Sequence, residues 1–245
     1  MREDAVRGSR RDVLGVVLAG LSGVAMFAAL GMVFLYAPRE ATMGDVQRIF
    51  YFHVASAWIG FFAFFVTCLA GIGYLVQGER RWDVLALSSV EMGLTFTTMT
   101  LLTGALWARP VWGTYWTWEP RLTISLVQWL IYVAYRMLRA AIEAPERRAR
   151  FAAVYGIVAF VTVPLSWFAI RWWRTIHPDI LMGGEGMAIT PRMVHTLVVS
   201  LVAFTLLYAT LLRLRMQLEC AVDALARLQA RVESLRDQLT SRPPD

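Results

Sequence analysis

The amino-acid sequence predicts an all-α, polytopic membrane protein with six transmembrane helices and a cytoplasmic C-terminal helix. Three observations support this prediction. Of the 245 residues, 58% are apolar and only 17% are charged, and the mean hydropathy of +0.52 is too high for an ordinary soluble domain. Six apolar runs are long enough to cross a bilayer. The C-terminal segment instead carries a heptad pattern of apolar residues.

Short polar connections join the six predicted spans. The spans comprise residues 13–38, 43–77, 84–107, 122–138, 151–170 and 193–212. Pro164 is expected to kink the fifth span, because proline removes a backbone hydrogen bond and clashes with the preceding turn. The first run lacks a clear cleavage site, so it is interpreted as a retained span. The chain is thereby divided into an N-terminus (1–12), a membrane domain (13–212) and a helical tail (213–245).

The distribution of arginine predicts the orientation in the membrane. All 24 basic residues are arginine; with six spans, 17 of them fall on the side of both termini and 7 on the other side. Because positively charged segments tend to remain in the cytoplasm, both termini are predicted to be cytoplasmic. The connections after spans one, three and five then face the outside. The same flanking pattern accounts for the net charge of +6 without a nucleic-acid partner.

The connection between spans three and four is rich in aromatic residues. Residues 112–123 read WGTYWTWEPRLT, in which Gly113 and Pro120 are expected to interrupt a helix. The aromatic residues are Trp112, Tyr115, Trp116 and Trp118. Four rings in so short a stretch can form a flat apolar face for a large planar ligand. The alternative is a membrane anchor, because Trp and Tyr gather at membrane interfaces.

Two histidines are predicted to share the outer surface with this aromatic stretch. His53 lies in the first turns of span two, and His177 lies in the last outer connection. Imidazole nitrogens are axial ligands of haem iron, so the pair is predicted to hold a haem against the rings. Considered alone, His53 would be a packed helix residue and His177 a solvated side chain. His195, inside span six, is interpreted as structural.

Charged residues beside the rings can bind the carboxylates of such a ligand. Arg48 lies just before span two, and Arg121 closes the aromatic stretch. A guanidinium binds carboxylates bidentately, so both are candidates for the haem propionates. The alternative is that both side chains extend to lipid headgroups. Glu119 and Arg109, at the edges of the stretch, are further candidates for polar contacts.

The tail after span six has its own apolar pattern. Steps of four and three residues connect Leu214, Leu218, Ala221, Leu225, Leu228, Val232, Leu235 and Leu239. This heptad spacing predicts a cytoplasmic coiled coil with a partner or with a second copy. The alternative is a helix that packs on another subunit without supercoiling. Cys68 in span two and Cys220 in the tail are predicted to be unpaired, because they lie at different depths.

The motifs resemble a known family. Residues 112–123 resemble the tryptophan-rich signature of haem-handling membrane proteins in cytochrome c maturation. The segment from Met43 to Trp58, together with the six-span length, resembles CcmC, the haem exporter protein C family, over about residues 13–212. The larger relatives CcmF and CcsA share the signature but are expected to have more spans. Glu119 stands where the signature often has aspartate, and the heptad tail is longer than expected for the family.

The resemblance implies a protein that holds haem b at the periplasmic face of the bacterial inner membrane, between two axial histidines and against the aromatic platform. His53 matches the first ligand within the sequence RIFYFHV (residues 48–54), and His177 matches the second by position. The resemblance also implies transfer of haem to the chaperone CcmE and assembly with CcmA, CcmB and CcmD. The chain has no GxxxxGK phosphate-binding loop, so it is predicted not to be an enzyme, and ATP hydrolysis is assigned to a partner.

Two other functions compete with haem presentation. An electron-transferring b-type cytochrome should carry histidine pairs that face one another within the bundle, and the sequence offers only His195 beyond the two outer histidines. A haem-translocating permease should carry several polar residues at mid-membrane depth. Glu91 is the one acid well inside a predicted span, and it lies toward the cytoplasmic end.

Overall fold

The computed structural model describes residues 12–173 and 189–240, and these residues form α-helices without a strand. The helices are α1 (Val13–Gly31, continued by a π-helical turn, Met32–Tyr36), α2 (Ile49–Gln77, preceded by a 3-10 turn, Asp45–Arg48), α3 (Arg80–Trp112), α4 (Pro120–Ala141), α5 (Pro145–Ala159), α6 (Thr162–Trp172) and α7 (Pro191–Thr240). The prediction of an all-α protein is confirmed.

Five segments are long and apolar enough to cross a membrane, so the protein is polytopic. They are Val13–Tyr36, Asp45–Gln77, Arg80–Trp112, Pro145–Ala169 and Pro191–Gln238. They correspond to five of the six predicted spans. The remaining one, predicted at residues 122–138, is the 22-residue helix α4, which is long enough to cross a bilayer but is not among the five.

The buried side of α4 is polar. Its buried residues are Gln128, Tyr132, Tyr135 and Arg139. Their spacing of four, three and four places them on one side of the helix. This side packs against α3, α5 and α6. The polar content of α4 is therefore turned toward protein, which explains how the helix can lie in the bundle although its sequence is less apolar.

Pro164 has the predicted effect on the fifth span. The helix breaks at Phe160 and Val161, which separate α5 from α6. Residue 160 is four positions before the proline, where the pyrrolidine ring would clash with a helical carbonyl group. The Phe160 carbonyl instead accepts a hydrogen bond from the Val163 amide at 2.9 Å.

Helix α2 lies at the centre of the bundle, where it packs along α3 and also contacts α5 and α7. Close approach of α2 and α3 depends on Gly93 of α3, because a Cβ atom there would lie 2.5 Å from the ring of Phe64. The Phe64 ring stacks on Tyr132 of α4, with 3.5 Å between centroids and an interplanar angle of 2°. Both rings are fully buried. They close the middle of the bundle between α2, α3 and α4.

At one end of the bundle, ionised side chains tie several helices together. We call this the tail end, because the C-terminal half of α7 projects from it. The Asp83 carboxylate of α3 accepts hydrogen bonds from Arg80 and from Arg139 of α4. Arg80 also binds Asp223 of α7 through two hydrogen bonds of 3.1 Å. Asp83 and Arg139 are 3% and 5% exposed, so their pair is buried.

A second acid at the tail end connects the same helices. Glu91 of α3 pairs with Arg136 of α4 at 2.9 Å and accepts hydrogen bonds from Arg215 of α7. Its side chain is largely buried among these arginines. Glu91 thus has a structural role at the tail end, far from the aromatic stretch, which agrees with its omission from the predicted site.

Asp12 fixes the start of α1. Its carboxylate accepts a hydrogen bond from the Gly15 amide at 3.0 Å and forms an ion pair with Arg213 of α7. Hydrogen bonds from Arg213, Gln217 and Gly15 hold the pKa of Asp12 well below its usual range. Because the pKa is lowered on folding, this contact stabilises the protein above the ordinary carboxyl pKa. The contribution is lost as the pH falls through the lowered pKa.

Candidate functional site

The opposite end of the bundle, which we call the aromatic end, contains a cleft of about 800 Å³, including the space at its mouth. Helices α2, α3 and α4 form the walls. Large or polar side chains in the lining are His53, Phe61, Thr97, Thr100, Leu101, Trp107, Trp112, Trp116, Arg121, Leu122, Ser125 and Gln128. Small residues between them leave the space open: Ala57, Gly104, Ala105 and Ala108.

The aromatic loop at the mouth is shorter than predicted. Helix α3 continues five residues beyond the expected end and includes Trp112, although Pro110 in its last turn cannot donate a backbone hydrogen bond. Gly113 ends α3 with a left-handed φ of 76°, and its amide donates to the Arg109 carbonyl at 2.9 Å. Pro120 begins α4, a position that suits its fixed φ. Only residues 113–119 form the loop.

His53 is held in the wall of the cleft by helix α3. It is 9% exposed, and its Nδ1 lies 3.2 Å from the Thr103 hydroxyl oxygen. That hydroxyl donates its proton to the Met99 carbonyl at 2.6 Å, so it accepts from the imidazole. The bond therefore favours the tautomer with the proton on Nδ1. A hydrogen bond of this kind at one ring nitrogen is how proteins orient a histidine whose other ring nitrogen binds a metal.

Trp107 is a cleft residue that was not identified from the sequence. It is 3% exposed, and its ring contacts His53 edge-on with 6.0 Å between centroids. Phe50 and Trp112 hold the ring from the other sides, at 6.0 and 6.4 Å. The indole N–H has no hydrogen-bond partner among the described residues. Trp107 thus orients the His53 ring and offers a donor to the cleft. The signal available in the sequence was that Trp107 ends the third predicted span, close to the aromatic stretch but not within it.

Gln128 is the second residue that sequence reasoning missed. It lines the deep part of the cleft and is 1% exposed, yet neither its amide nitrogen nor its amide oxygen has a partner within the described part of the chain. Buried polar groups are normally hydrogen-bonded, so an unpaired amide that lines a cleft indicates a site for a polar ligand atom or for water. The isolated glutamine in an apolar span was the signal available in the sequence.

The structure brings four of the predicted site residues together around the cleft: His53, Trp112, Trp116 and Arg121. Three others lie at the mouth outside the lining. Tyr115 and Trp118 are exposed, Trp118 by 75%, and Glu119 precedes the first turn of α4. Trp118 packs edge-on against Trp116 with 5.8 Å between centroids. The Tyr115 ring lies under the guanidinium group of Arg109, 5.5 Å from its centroid. His177 lies outside the described residues.

Arg48 lies beside α1 and is not part of the cleft lining. Its Nη1 atom donates to the carbonyl groups of Val33 and Phe34, both at 2.7 Å, and its Nε lies 3.2 Å from Asp45. The guanidinium also covers the Phe34 ring at 5.7 Å. Arg48 therefore satisfies carbonyl groups at the end of α1. A contact with a ligand carboxylate would compete with these bonds, and its role as a ligand residue stays a prediction.

His195 lies on the other side of the bundle. Its Nδ1 is 3.3 Å from the Tyr36 hydroxyl, and the two rings are stacked 6.5 Å apart. This contact connects α7 to the end of α1. His195 does not line the cleft. Its position agrees with the structural role expected from the sequence.

The helical bundle and its cleft define a class: multi-pass membrane proteins with an aromatic-walled cleft at one end of the bundle. Comparison with known proteins identifies the family within this class. The family described as Heme exporter protein C, CcmC, matches residues 9–231. The chain belongs to this haem exporter protein C family.

Individual relatives cover most of the chain. Heme exporter protein C of Bradyrhizobium diazoefficiens is 37% identical over 207 residues, which cover 84% of this chain and 76% of the relative. The protein of the same description from Paracoccus denitrificans is 30% identical over 216 residues, with 86% and 89% covered. That of Escherichia coli K12 is 34% identical over 188 residues, with 75% and 74% covered. The chain is thus a multi-pass membrane component of the cytochrome c maturation (Ccm) system, a haem-export subunit and not a catalytic enzyme.

Proposed function

We infer that this subunit binds haem b in the aromatic cleft and presents it to the chaperone CcmE. The observation that carries the proposal is His53: a buried imidazole in the wall of an aromatic cleft, oriented by the contact of its Nδ1 with Thr103. We assign its Nε2 to the iron. His177 is proposed as the second axial ligand. Transfer to the chaperone requires at least one of these two axial bonds to break.

The remaining cleft residues suit the other parts of a haem. Trp112 and Trp116 offer apolar faces to the macrocycle. Arg121 lies in the first turn of α4 at the same end, and we assign its fork of donors to a propionate. We assign Arg48, Tyr115, Trp118 and Glu119 to the rim of the site, where they would contact the propionates or the incoming chaperone.

The proposed topology follows from the two ends of the bundle. The aromatic end faces the periplasm and the tail end faces the cytoplasm, because arginine is concentrated at the tail end. Helix α4 serves as the sixth span, which returns both termini to the cytoplasm. We retain the division into an N-terminus (1–12), a membrane domain (13–212) and a tail (213–245). CcmA, CcmB and CcmD are the proposed partners, and a partner hydrolyses ATP.

The alternative is a permease that moves haem through this bundle, and the polar amide of Gln128 deep in the cleft favours it. The packing one turn deeper argues against it. The stacked rings of Phe64 and Tyr132 belong to a fully packed cluster with Val90 and Tyr135. Beyond that cluster lies the buried pair of Asp83 and Arg139. A planar macrocycle would have to displace both layers, so presentation from the outer side is the function that the packing supports.

Presentation and translocation can be separated in cells. We would compare a strain lacking this protein with the complemented strain. Two quantities would be measured: covalent haem on CcmE, by haem staining, and haem incorporation into a periplasmic b-type cytochrome. If the protein presents haem, its deletion leaves CcmE without covalent haem, while the periplasmic b-type cytochrome still incorporates haem. If that cytochrome also lacks haem, and complementation restores haem to both proteins, the protein translocates haem and our proposal is wrong.

Gly104 provides a test of the cleft that leaves every proposed ligand in place. A Cβ atom at Gly104 would lie 2.9 Å from His53 Cε1, so Gly104→Ala pushes the imidazole out of position. We expect the amount of haem retained by the purified protein to fall by about tenfold, in line with losses on disturbing groups that orient a metal ligand. Helix stability should not suffer, because alanine favours a helix by about 1 kcal/mol over glycine.

The matched control is Gly20→Ala in α1, where a Cβ atom meets nothing within 4 Å. This variant should retain haem as the unmodified protein does. If the two alanine variants retain haem equally, His53 is not positioned against α3 for binding iron.

A further inference from the structure

The C-terminal half of α7 presents an apolar surface that no described part of the chain covers. Helix α7 has 50 residues and is therefore about 75 Å long, more than twice the thickness of a bilayer core. We define the tail seam as Leu214, Leu218, Ala221, Leu225, Leu228, Val232 and Leu235. Its large side chains are 50–64% exposed. The spacing is that of the a and d positions of a heptad repeat.

The opposite face of the same helix is fixed to the bundle. Asp223 and Glu219 lie on this face and approach Arg80 at 3.1 and 3.9 Å. At about 100° per residue, both are roughly 140–180° away from the seam around the helix axis. These ion pairs hold the face of α7 that carries Glu219 and Asp223 against the start of α3. The tail seam therefore points away from its own bundle.

Two further contacts fix the rotation of the helix about its axis. Arg215 binds Glu91 on one flank, and Arg213 binds Asp12 on the other flank at 2.6 Å. These two contacts and those of Arg80 attach the side of α7 opposite the seam to the bundle. The helix is also continuous from the membrane segment into the tail. The seam is thus displayed in a fixed direction.

Charges beside the seam indicate what kind of partner it accepts. The e and g positions flank a coiled-coil seam and contact the partner helix. In the tail they are Arg215, Gln217, Val222, Ala224, Gln229, Arg231, Arg236 and Gln238. Every charge among them is positive. Because Arg215 is paired with Glu91 of the bundle, Arg231 and Arg236 are the cations that flank the projecting part of the seam. The acids of the tail, such as Glu219 and Asp223, lie elsewhere on the helix.

A second copy of the chain is a poor match. Two copies in one membrane would present their tails in parallel, because each tail continues a membrane helix. In a parallel pair, position g of one helix lies beside position e of the next heptad on the other helix. That geometry places Arg231 of one copy beside Arg236 of the other copy, so the two positive charges repel each other. The two-fold symmetry of the pair produces the same repulsion a second time.

We propose that the tail seam binds an amphipathic helix of a partner protein whose apolar stripe is flanked by acidic side chains. The observations that carry this assignment are the exposed seam, its orientation away from the bundle and the purely positive flanks. It is independent of the haem site at the other end of the molecule. Complementary flanks attract the partner, and the like charges of Arg231 and Arg236 disfavour a second copy.

The test uses the full-length protein in nanodiscs, labelled with a fluorescent maleimide. Cys220 of the tail is exposed and Cys68 is buried, so the label marks the tail. Two synthetic four-heptad peptides serve as probes. Both have leucine at every a and d position; one has glutamate and the other lysine at every e and g position. We expect the glutamate peptide to bind about fivefold more tightly, and increasing salt to reduce the difference.

Two variants control for non-specific binding. Arg231→Glu combined with Arg236→Glu should reverse the preference toward the lysine peptide. Leu228→Asn should abolish binding of either peptide, and because Leu228 is exposed the variant should fold normally. The proposal is overturned by equal binding of both peptides, by absence of binding, or by concentration-dependent energy transfer between labelled copies of the unmodified protein. The last result would show self-association instead.

Discussion

His53→Ala is expected to remove haem from the purified protein. The imidazole is the one proposed iron ligand in the described cleft, and alanine leaves the iron with no nitrogen at that position. We expect the affinity for haem to fall by more than about 100-fold, equivalent to roughly 2.7 kcal/mol. The measurement is the visible absorption spectrum of detergent-purified protein after expression with ample haem. His177→Ala should give a similar loss if the second axial ligand is correctly assigned.

A matched histidine separates ligand loss from a general effect of the substitution. His195 lies near the same end of the bundle but contacts Tyr36 on α1, away from the cleft. His195→Ala should therefore keep the haem spectrum. Thr103→Val should give an intermediate result, because it removes the group that orients the His53 ring, and such losses are typically 10–100-fold. A His53→Ala protein with the unmodified spectrum would refute the site.

Asp83→Asn is expected to have the largest effect on stability. The Asp83 carboxylate neutralises Arg139, which is buried at the contact of α3 with α4 and donates to Asp83 at 3.0 Å through Nη2. The amide leaves this guanidinium without a countercharge, and breaking a buried pair in this way costs about 3–5 kcal/mol. In a protein of this size that corresponds to a decrease in apparent melting temperature on the order of 10 °C. Thermal unfolding in detergent measures it.

Two comparisons show whether burial is the cause. Glu79→Gln breaks the pair of Glu79 with Arg81 at 2.6 Å, and both side chains are at least half exposed, so the cost should stay below about 1 kcal/mol. Replacing both buried partners, as Asp83→Leu with Arg139→Met, should recover much of the loss because no uncompensated charge remains. If Asp83→Asn and Glu79→Gln melt at the same temperature, the buried pair does not stabilise the bundle.

The architecture was largely predictable from the chain, because apolar length and helix-breaking residues are local properties. The spans, the kink near Pro164 and the interruption by Gly113 and Pro120 all follow from such local properties and agree with the structure. The fourth predicted span is the instructive difference. Its helix exists, but the polar side chains that reduce its apolar content are compensated by contacts with other helices, which hydropathy does not register.

The cleft was only partly predictable, because its lining comes from residues far apart in the chain. His53, Trp112, Trp116 and Arg121 were identified by their chemistry and their place at one predicted surface. Trp107 and Gln128 required the packing of α3 and α4, since an aromatic or amide residue inside a span usually belongs to the core. Haem binding at His53 and at His177 stays a prediction until the spectra are measured.

The sequence by itself determined that this is a helical membrane protein of the haem exporter protein C family, with an aromatic stretch at one surface and a heptad tail. Periodicity, residue type and motif spacing are properties of the linear chain, so they needed no coordinates. Only the tertiary structure decided that Nδ1 of His53 contacts Thr103, that Arg48 lies against α1, and that the seam of the tail points outward. Each of these depends on contacts between side chains on different helices, and the chain does not encode such contacts in any local pattern.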